Sequence, residues 1–581
     1  MKYLLSLLLL FPAGYLSAQD NLSTVFERSK GTETATYQEG ITFWKNLAAE
    51  FEAVQIREVG STDSGEPLHL VTLDIDKDFE NREAIAEKGK VVVLINNGIH
   101  PGEADGIEAS MMLMRDLMTT KHGMRILQHV VIHVIPFYNV GGALNRNSGT
   151  RANQNGPKSY GFRGNARNYD LNRDFIKADS RNAQSFQALF QKLQPDVFVD
   201  THVSNGADYQ YVLTLLSTQE DKLGFAQGKL MREQLEPALY DAIDKKGVLM
   251  TPFVNIYGNP PDSGWVQFMD APRYSTGYAS LYQCLGFMTE THMLKSFEDR
   301  VLATYSFLEA LLALSGKKHE EILVAKQESR EAWRAVETYP LRYDNDAEAP
   351  TMLRFKGYTA KMRPSEVTGM DRLYYDRDAP FEKEIPWYNR FAPGYAVKVP
   401  AYYYIPYGWR HLAEALQRNG VEVQELRKTL TAEVEQYSIT DFETVEMPYE
   451  GHYLHYNTEV ETQRLSLELP ASGYLVDTRQ HAIRMIIETM EPQASDSWFA
   501  WNEFDAILQQ KEHFSPYVFE DEAAAILKAN KKLKAEFEQK KKDDPAFAKS
   551  WFAQLNFIYE HTDHYELAYK RYPILRVMKL K

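Results

Sequence analysis

Cysteine is almost absent from this chain. Cys284 is the single thiol in 581 residues, so no intramolecular disulfide can form and stability must come from a packed core. Long apolar runs are missing too: past the first twenty residues, no segment approaches the ~18 uninterrupted apolar positions that a membrane-spanning helix needs. Basic residues are outnumbered, 65 Lys and Arg against 80 Asp and Glu. The formal net charge of −15 argues against nucleic acid as a partner and is otherwise ordinary for solubility. There is no HExxH, no phosphate-binding P-loop, no GxSxG elbow and no dinucleotide glycine fingerprint. Internal repeats and low-complexity tracts are also lacking.

What is present suits a large globular protein. Hydrophobic residues make up 44% and charged residues 25%, and the length predicts two or three domains. The opening MKYLLSLLLLFPAGYLSAQD has a basic start, a short apolar run and small residues before Gln19, which predicts a secretory signal peptide over residues 1–18. From Val91 onward, apolar runs (VVVLIN, VVIHVIPF, DVFVD, LGFMT) alternate with helical patterns. Runs this apolar suit strands buried on both faces, so residues 19–318 predict an α/β catalytic domain. Residues 319–515 begin with a polar helix and become rich in Tyr, Pro and alternating segments, which predicts a β-rich accessory domain. Residues 516–581 read as a charged helical tail whose Lys clusters form a solvated face.

One stretch carries most of the chemistry. In VVVLINNGIHPGEADGIEA a buried strand ends at Asn97, and His100 and Glu103 follow in a turn made tight by Pro101 and Gly102. Ligands gather at the carboxyl ends of strands in open α/β sheets, so the position suits a site. The spacing HxxE alone is weak, since roughly one chance match is expected in a chain of this composition. His411 and Glu414 are that second match, but they lie mid-helix in WRHLAEALQ and read as a surface pair. A third candidate ligand, His202, ends the buried run in QPDVFVDTHVS. Alone it would read as a structural histidine; beside His100 and Glu103 it completes a His–Glu–His set of the catalytic zinc type. Structural zinc would call for several cysteines, and magnesium or calcium for more carboxylates. Glu290 closes another apolar strand in LGFMTETHM, where an acid is costly unless paired or working near solvent, and it is the candidate base.

The order HPGE, NYDLNRDF, DTHVS and FMTETH resembles the zinc carboxypeptidase family over roughly residues 40–315. The resemblance implies a three-layer α/β/α catalytic domain with a mixed central sheet and one zinc ion on His100, Glu103 and His202. It implies that Glu290 activates the attacking water and that Asp170 orients His100. Asn172 and Arg173 match the pair that binds the substrate's terminal carboxylate, and Arg151 matches the arginine that polarises the scissile carbonyl. For the family's mobile tyrosine, both Tyr274 and Tyr278 fit, and Tyr278 is the candidate. The implied activity is hydrolysis of C-terminal peptide bonds on peptides with a free C-terminus. An amidase or peptidase acting on cell-wall peptides or acyl-amino acids is the alternative, and a non-catalytic peptide-binding relative is a further one. The resemblance leaves the accessory domain unexplained.

Overall fold

The computed structural model describes residues 22–581, so the signal peptide read at residues 1–18 lies outside the described residues. The central sheet has eight strands: β1 (Val54–Ser61), β2 (Pro67–Leu73), β3 (Val91–Asn96), β4 (Val130–Ile135), β5 (Val197–Ser204), β6 (Leu213–Ser217), β7 (Met250–Pro252) and β9 (Leu285–His292). The short β8 (Trp265–Val266) joins another sheet. Spatial order is β1-β2-β4-β3-β5-β9-β6-β7. The middle strands β4, β3, β5 and β9 run parallel, while β1, β2 and β6 enter by antiparallel pairings.

Alternation along β3 explains why these strands must be buried on both faces. Val91, Val93 and Ile95 pack in one apolar cluster with the helices Asp105–Thr119 and Phe297–Lys317. Leu94 points the other way, into a second cluster with Phe186 and Leu189 of the helix Arg181–Leu193. Side chains alternate with a period of two, so a strand without a polar face requires helices on both sides. The result is the expected α/β/α sandwich with a mixed sheet.

Beyond it lie β10 (Thr338–Asn345), β11 (Thr351–Pro364), β12 (Asp371–Tyr388), β13 (Phe391–Lys398), β14 (Tyr402–Ile405), β15 (Gln424–Glu425), β16 (Leu430–Thr444), β17 (His455–Leu469), β18 (Tyr474–Asp477) and β19 (Leu575–Leu580). They form three sheets: β10-β13, β11-β12-β8 and a six-stranded β15-β18-β14-β19-β16-β17. The β-rich reading of this region therefore stands. The helix His319–Arg334 packs with the catalytic domain. Its Ile322 and Ala325 join the first cluster, and Lys326 Nζ lies 2.7 Å from Asp196 Oδ1 with both side chains buried. A buried lysine needs such a partner, and Asp196, just before β5, supplies it.

Residues 516–581 combine helices with one strand. Their helices form a separate apolar cluster around Phe519, Phe537, Phe547 and Tyr559. The segment then returns as β19, hydrogen-bonded between β14 and β16. Arg576 on β19 bonds to Glu435 of β16 and lies 3.0 Å from the fully buried Glu491. Removing residues 573–581 would expose two sheet edges and leave Glu435 and Glu491 without their shared buried cation, at a cost of about 3–5 kcal/mol for the lost buried partner alone. Limited proteolysis of the truncated chain is expected to cut rapidly within residues 402–572; resistance equal to that of the whole chain would contradict the placement of β19.

The two regions share one core. The second cluster mixes Phe186, Phe190, Tyr278 and Tyr282 with Leu412, Leu416, Val476, Ile483 and Ile487 of the appended region. Among the described residues no helix is long and apolar enough to cross a membrane.

Candidate active site

The parallel strands end together and place the chemistry in one cavity. After β3 the chain turns so sharply that the Glu103 amide donates to the His100 carbonyl at 2.8 Å. Gly102 belongs to this turn because a Cβ there would meet Arg151 Cδ at 2.6 Å and the Gly161 carbonyl at 3.0 Å. His202 lies on β5, directly across from Glu290 on β9. Paired residues of parallel strands point to the same face, so the base candidate and the ligand candidate share one wall.

His100, Glu103 and His202 each offer a ligand atom, all within 4.8 Å of one another, and no other such group of three occurs among the described residues. His202 Nδ1 lies 3.2 Å from His100 Nδ1 and 3.0 Å from Glu103 Oε2, and His100 Nδ1 lies 3.3 Å from Glu103 Oε1. The opposite nitrogen of each imidazole is engaged: His100 Nε2 bonds Asp170 Oδ1 at 2.8 Å, and His202 Nε2 bonds Asp200 Oδ2 at 2.8 Å. Carboxylates behind both rings fix the tautomer that turns Nδ1 toward the common point.

Electrostatics agree with a cation there. Burial disfavours charge on Glu103, but Arg151 and His100 beside it hold its carboxyl well below the usual range. Burial would lower His202, yet Asp200 and Glu103 hold it well above the ordinary histidine value. The carboxylates that favour a proton on His202 equally favour a metal ion at Nδ1. Burial pushes Glu290 up to about 7 against the pull of His202, which suits a group that accepts and returns a proton near neutrality.

The cavity of about 390 Å³ is lined by these four residues and by Arg151, Asn172 and Arg173. Arg151 Nη1 sits 2.8 Å from Glu103 Oε1. Asn172 is buried, its Oδ1 accepting from the Ser275 amide at 3.1 Å. The Arg173 guanidinium lies 4.7 Å from the centre of the Tyr274 ring and donates to the Asn172 carbonyl.

Tyr278, expected at the substrate, lies elsewhere. It is fully buried in the second core cluster, and its hydroxyl donates to Asn419 Oδ1 at 2.7 Å. The helix Ser275–Ser280 turns it toward Phe186 and Phe190, whereas Tyr274 at the helix start lines the cavity together with the exposed Tyr257. The second HxxE match stays apart from the site: His411 is exposed and bonds Glu503, while Glu414 takes Arg410.

Sequence reasoning missed two residues here. Asp200 precedes His202 by two positions on one strand, a spacing that puts both on the same face. Arg163 lines the cavity, bonds Asp170 Oδ2 at 2.8 Å and approaches Glu103 Oε1 to 3.6 Å. Its position in GFRGNARNYDLNR, within the same loop as Asp170, was the available signal.

The chain is similar to several known proteins. The family described as zinc carboxypeptidase matches residues 41–209. Carboxypeptidase 2 of Trichophyton rubrum is 22% identical over 428 residues, covering 70% of this chain and 73% of that protein. Carboxypeptidase 2 of Trichophyton tonsurans is 23% identical over 437 residues, with the same coverage. Among solved structures, a metallo-carboxypeptidase from Burkholderia cenocepacia is similar at 17% identity and a TM-score of 0.35, over 46% of this chain and 66% of that one. A metallo-carboxypeptidase from Pseudomonas aeruginosa, solved with (2-guanidinoethylmercapto)succinic acid, is similar at 17% identity and a TM-score of 0.37, over 48% and 68%.

Proposed function

From the zinc carboxypeptidase domain that this chain carries at residues 41–209, we propose that the protein is an exopeptidase that removes residues from the free C-termini of peptides. The observation that supports this reading is that Asn172 and Arg173 open into the same cavity as His100, Glu103, His202 and Glu290. One zinc ion, held by His100, Glu103 and His202, would supply a Lewis acid that polarises a carbonyl and acidifies water. Arg173 and Asn172 hold the terminal carboxylate, the guanidinium by a two-pronged contact. Glu290 takes a proton from the attacking water and returns it to the leaving amine. Arg151, with Arg163 close by, offers positive charge where the scissile carbonyl oxygen becomes negative. The remaining wall includes Leu216, Phe253, Phe268 and Met288, which favours an apolar side chain on the departing residue.

Arg173→Ala tests the exopeptidase reading. It is expected to cost about 2–4 kcal/mol in kcat/KM on a free-acid peptide, the scale of losing a buried charged hydrogen bond. The matching amidated peptide should be a poor substrate for the wild type and little affected by the change. Arg173→Lys should recover only part, because a point charge does not reproduce the planar fork. Equal losses on both peptides would replace the carboxypeptidase reading with an endopeptidase or an amidase acting on cell-wall or acyl substrates.

A further inference from the structure

The appended region reaches the segment that carries Asp170, Asn172 and Arg173 through residues 445–454, the turn between β16 and β17, where Tyr449 and His452 form an isolated bridge. Side chains at its tip bond the catalytic segment 169–179. Glu450 Oε2 accepts from the Asp170 amide at 2.8 Å. His452 Nε2 lies 2.8 Å from Asp179 Oδ2. Gly451, at φ +84°, brings its backbone so close to Tyr169 that a Cβ would lie 3.0 Å from the ring. Tyr449 is an electrostatic neighbour of both Arg173 and Arg273, and the Arg273 guanidinium lies 5.7 Å from the centre of its ring. Arg273 is itself anchored from the appended region, its Nε 2.7 Å from the fully buried Asp496 Oδ1. Trp501 stacks on Tyr449 with ring centres 6.1 Å apart and donates to the same Asp496 oxygen.

We propose that this turn is a specificity element of the peptidase site, in which Glu450, through the Asp170 amide, and Tyr449, beside Arg173, are positioning residues that set Arg173 for a substrate's terminal carboxylate. The inference rests on the reading of Arg173 as the carboxylate-binding residue. The physical argument is one of direction. A guanidinium on a flexible stem reads a planar carboxylate only if its plane is fixed before the substrate arrives. On Arg173 the Tyr274 ring covers a face of the guanidinium and the Asn172 carbonyl takes an N–H donor, which restricts the orientation of the rest. Asp170 is held by its main chain to Glu450 and by its side chain to His100 and Arg163, so the turn also braces the segment that orients a ligand histidine. Apolar packing alone would dock the two regions; these polar contacts fall on the segment that carries Asn172 and Arg173.

The test uses the full chain with zinc bound and a peptide pair, free acid and amide. Tyr449→Phe keeps the ring stack on Trp501 and removes the hydroxyl. KM for the free acid is expected to rise by up to about tenfold, with kcat within about twofold of wild type. Kinetics on the amide, zinc content and melting temperature should stay at wild-type values. Glu450→Ala should raise KM in the same selective way, and Glu450→Gln, which keeps an acceptor oxygen for the Asp170 amide, should restore it. Parallel losses on both peptides, or a fall in kcat with KM unchanged, would overturn the assignment. Arg173→Ala run beside these variants separates the two levels. If it is selective for the free acid while Tyr449→Phe is silent, only the role of the turn fails; if it is unselective, the carboxylate reading fails and this inference with it.

Discussion

Glu290→Gln is expected to lower kcat by about a hundredfold or more while zinc content stays at the wild-type level. Glutamine preserves the shape of the side chain and the strand pairing of residue 290 with His202, so neither the sheet nor the ligand cluster has cause to move. What disappears is a carboxylate that can hold a proton between two steps. Burial has already pushed that carboxyl up to about 7, so the wild-type group can both take and release a proton near neutral pH. An amide can do neither. Steady-state kinetics together with metal analysis of the same sample decide the matter. Turnover close to wild type would place the base on another residue and remove Glu290 from the mechanism.

His202→Ala is expected to abolish zinc binding along with activity. It deletes one of three ligands and leaves Asp200 buried without the imidazole it bonds at 2.8 Å. Leaving a buried acceptor without its partner costs about 1–3 kcal/mol or more, so a lower melting temperature should accompany the metal loss. Circular dichroism on the variant separates site loss from unfolding. His411→Ala is the matched control: that imidazole is exposed, pairs with Glu503 and should leave zinc at about one per chain. Zinc retained by folded His202→Ala protein, or lost on His411→Ala, would place the metal elsewhere.

The parts of this molecule that were legible in its sequence share a property: their signals are local. β3 and β4 are apolar at nearly every position, and β5 and β9 in their first halves, because both faces are covered, and that texture survives without any knowledge of neighbours. His100, Glu103, His202 and Glu290 stand at or just beyond such strands, which separated them from the helical His411 and Glu414. Tyr278 was misplaced because a tyrosine in a short helix carries no mark of which way it turns. Only the Asn419 side chain, 141 residues away, settles that its hydroxyl is buried in the core. β19 was invisible for a similar reason. LRVMKL is six residues long and follows a charged helical stretch, and its strand partners lie far back in the chain. Glu450 likewise carries no sign in its own neighbourhood that it reaches the Asp170 amide, 280 positions earlier.

The insertion of β19 between β14 and β16 has a consequence for timing. The ion pair of Arg576 with Glu435 spans 141 residues, and contacts so far apart in sequence form late and slowly when a chain folds. The ligand histidines of the catalytic sandwich lie closer in sequence, 102 positions apart, and can converge earlier. The turn at Tyr449, by contrast, hangs from β16 and β17, and β16 gains its second neighbour only when β19 docks. A nascent chain should therefore pass through a stage in which the metal ligands have converged and Arg173 is still unbraced. Full discrimination for a free C-terminus would be the last property the enzyme acquires, arriving with a strand that never touches the substrate.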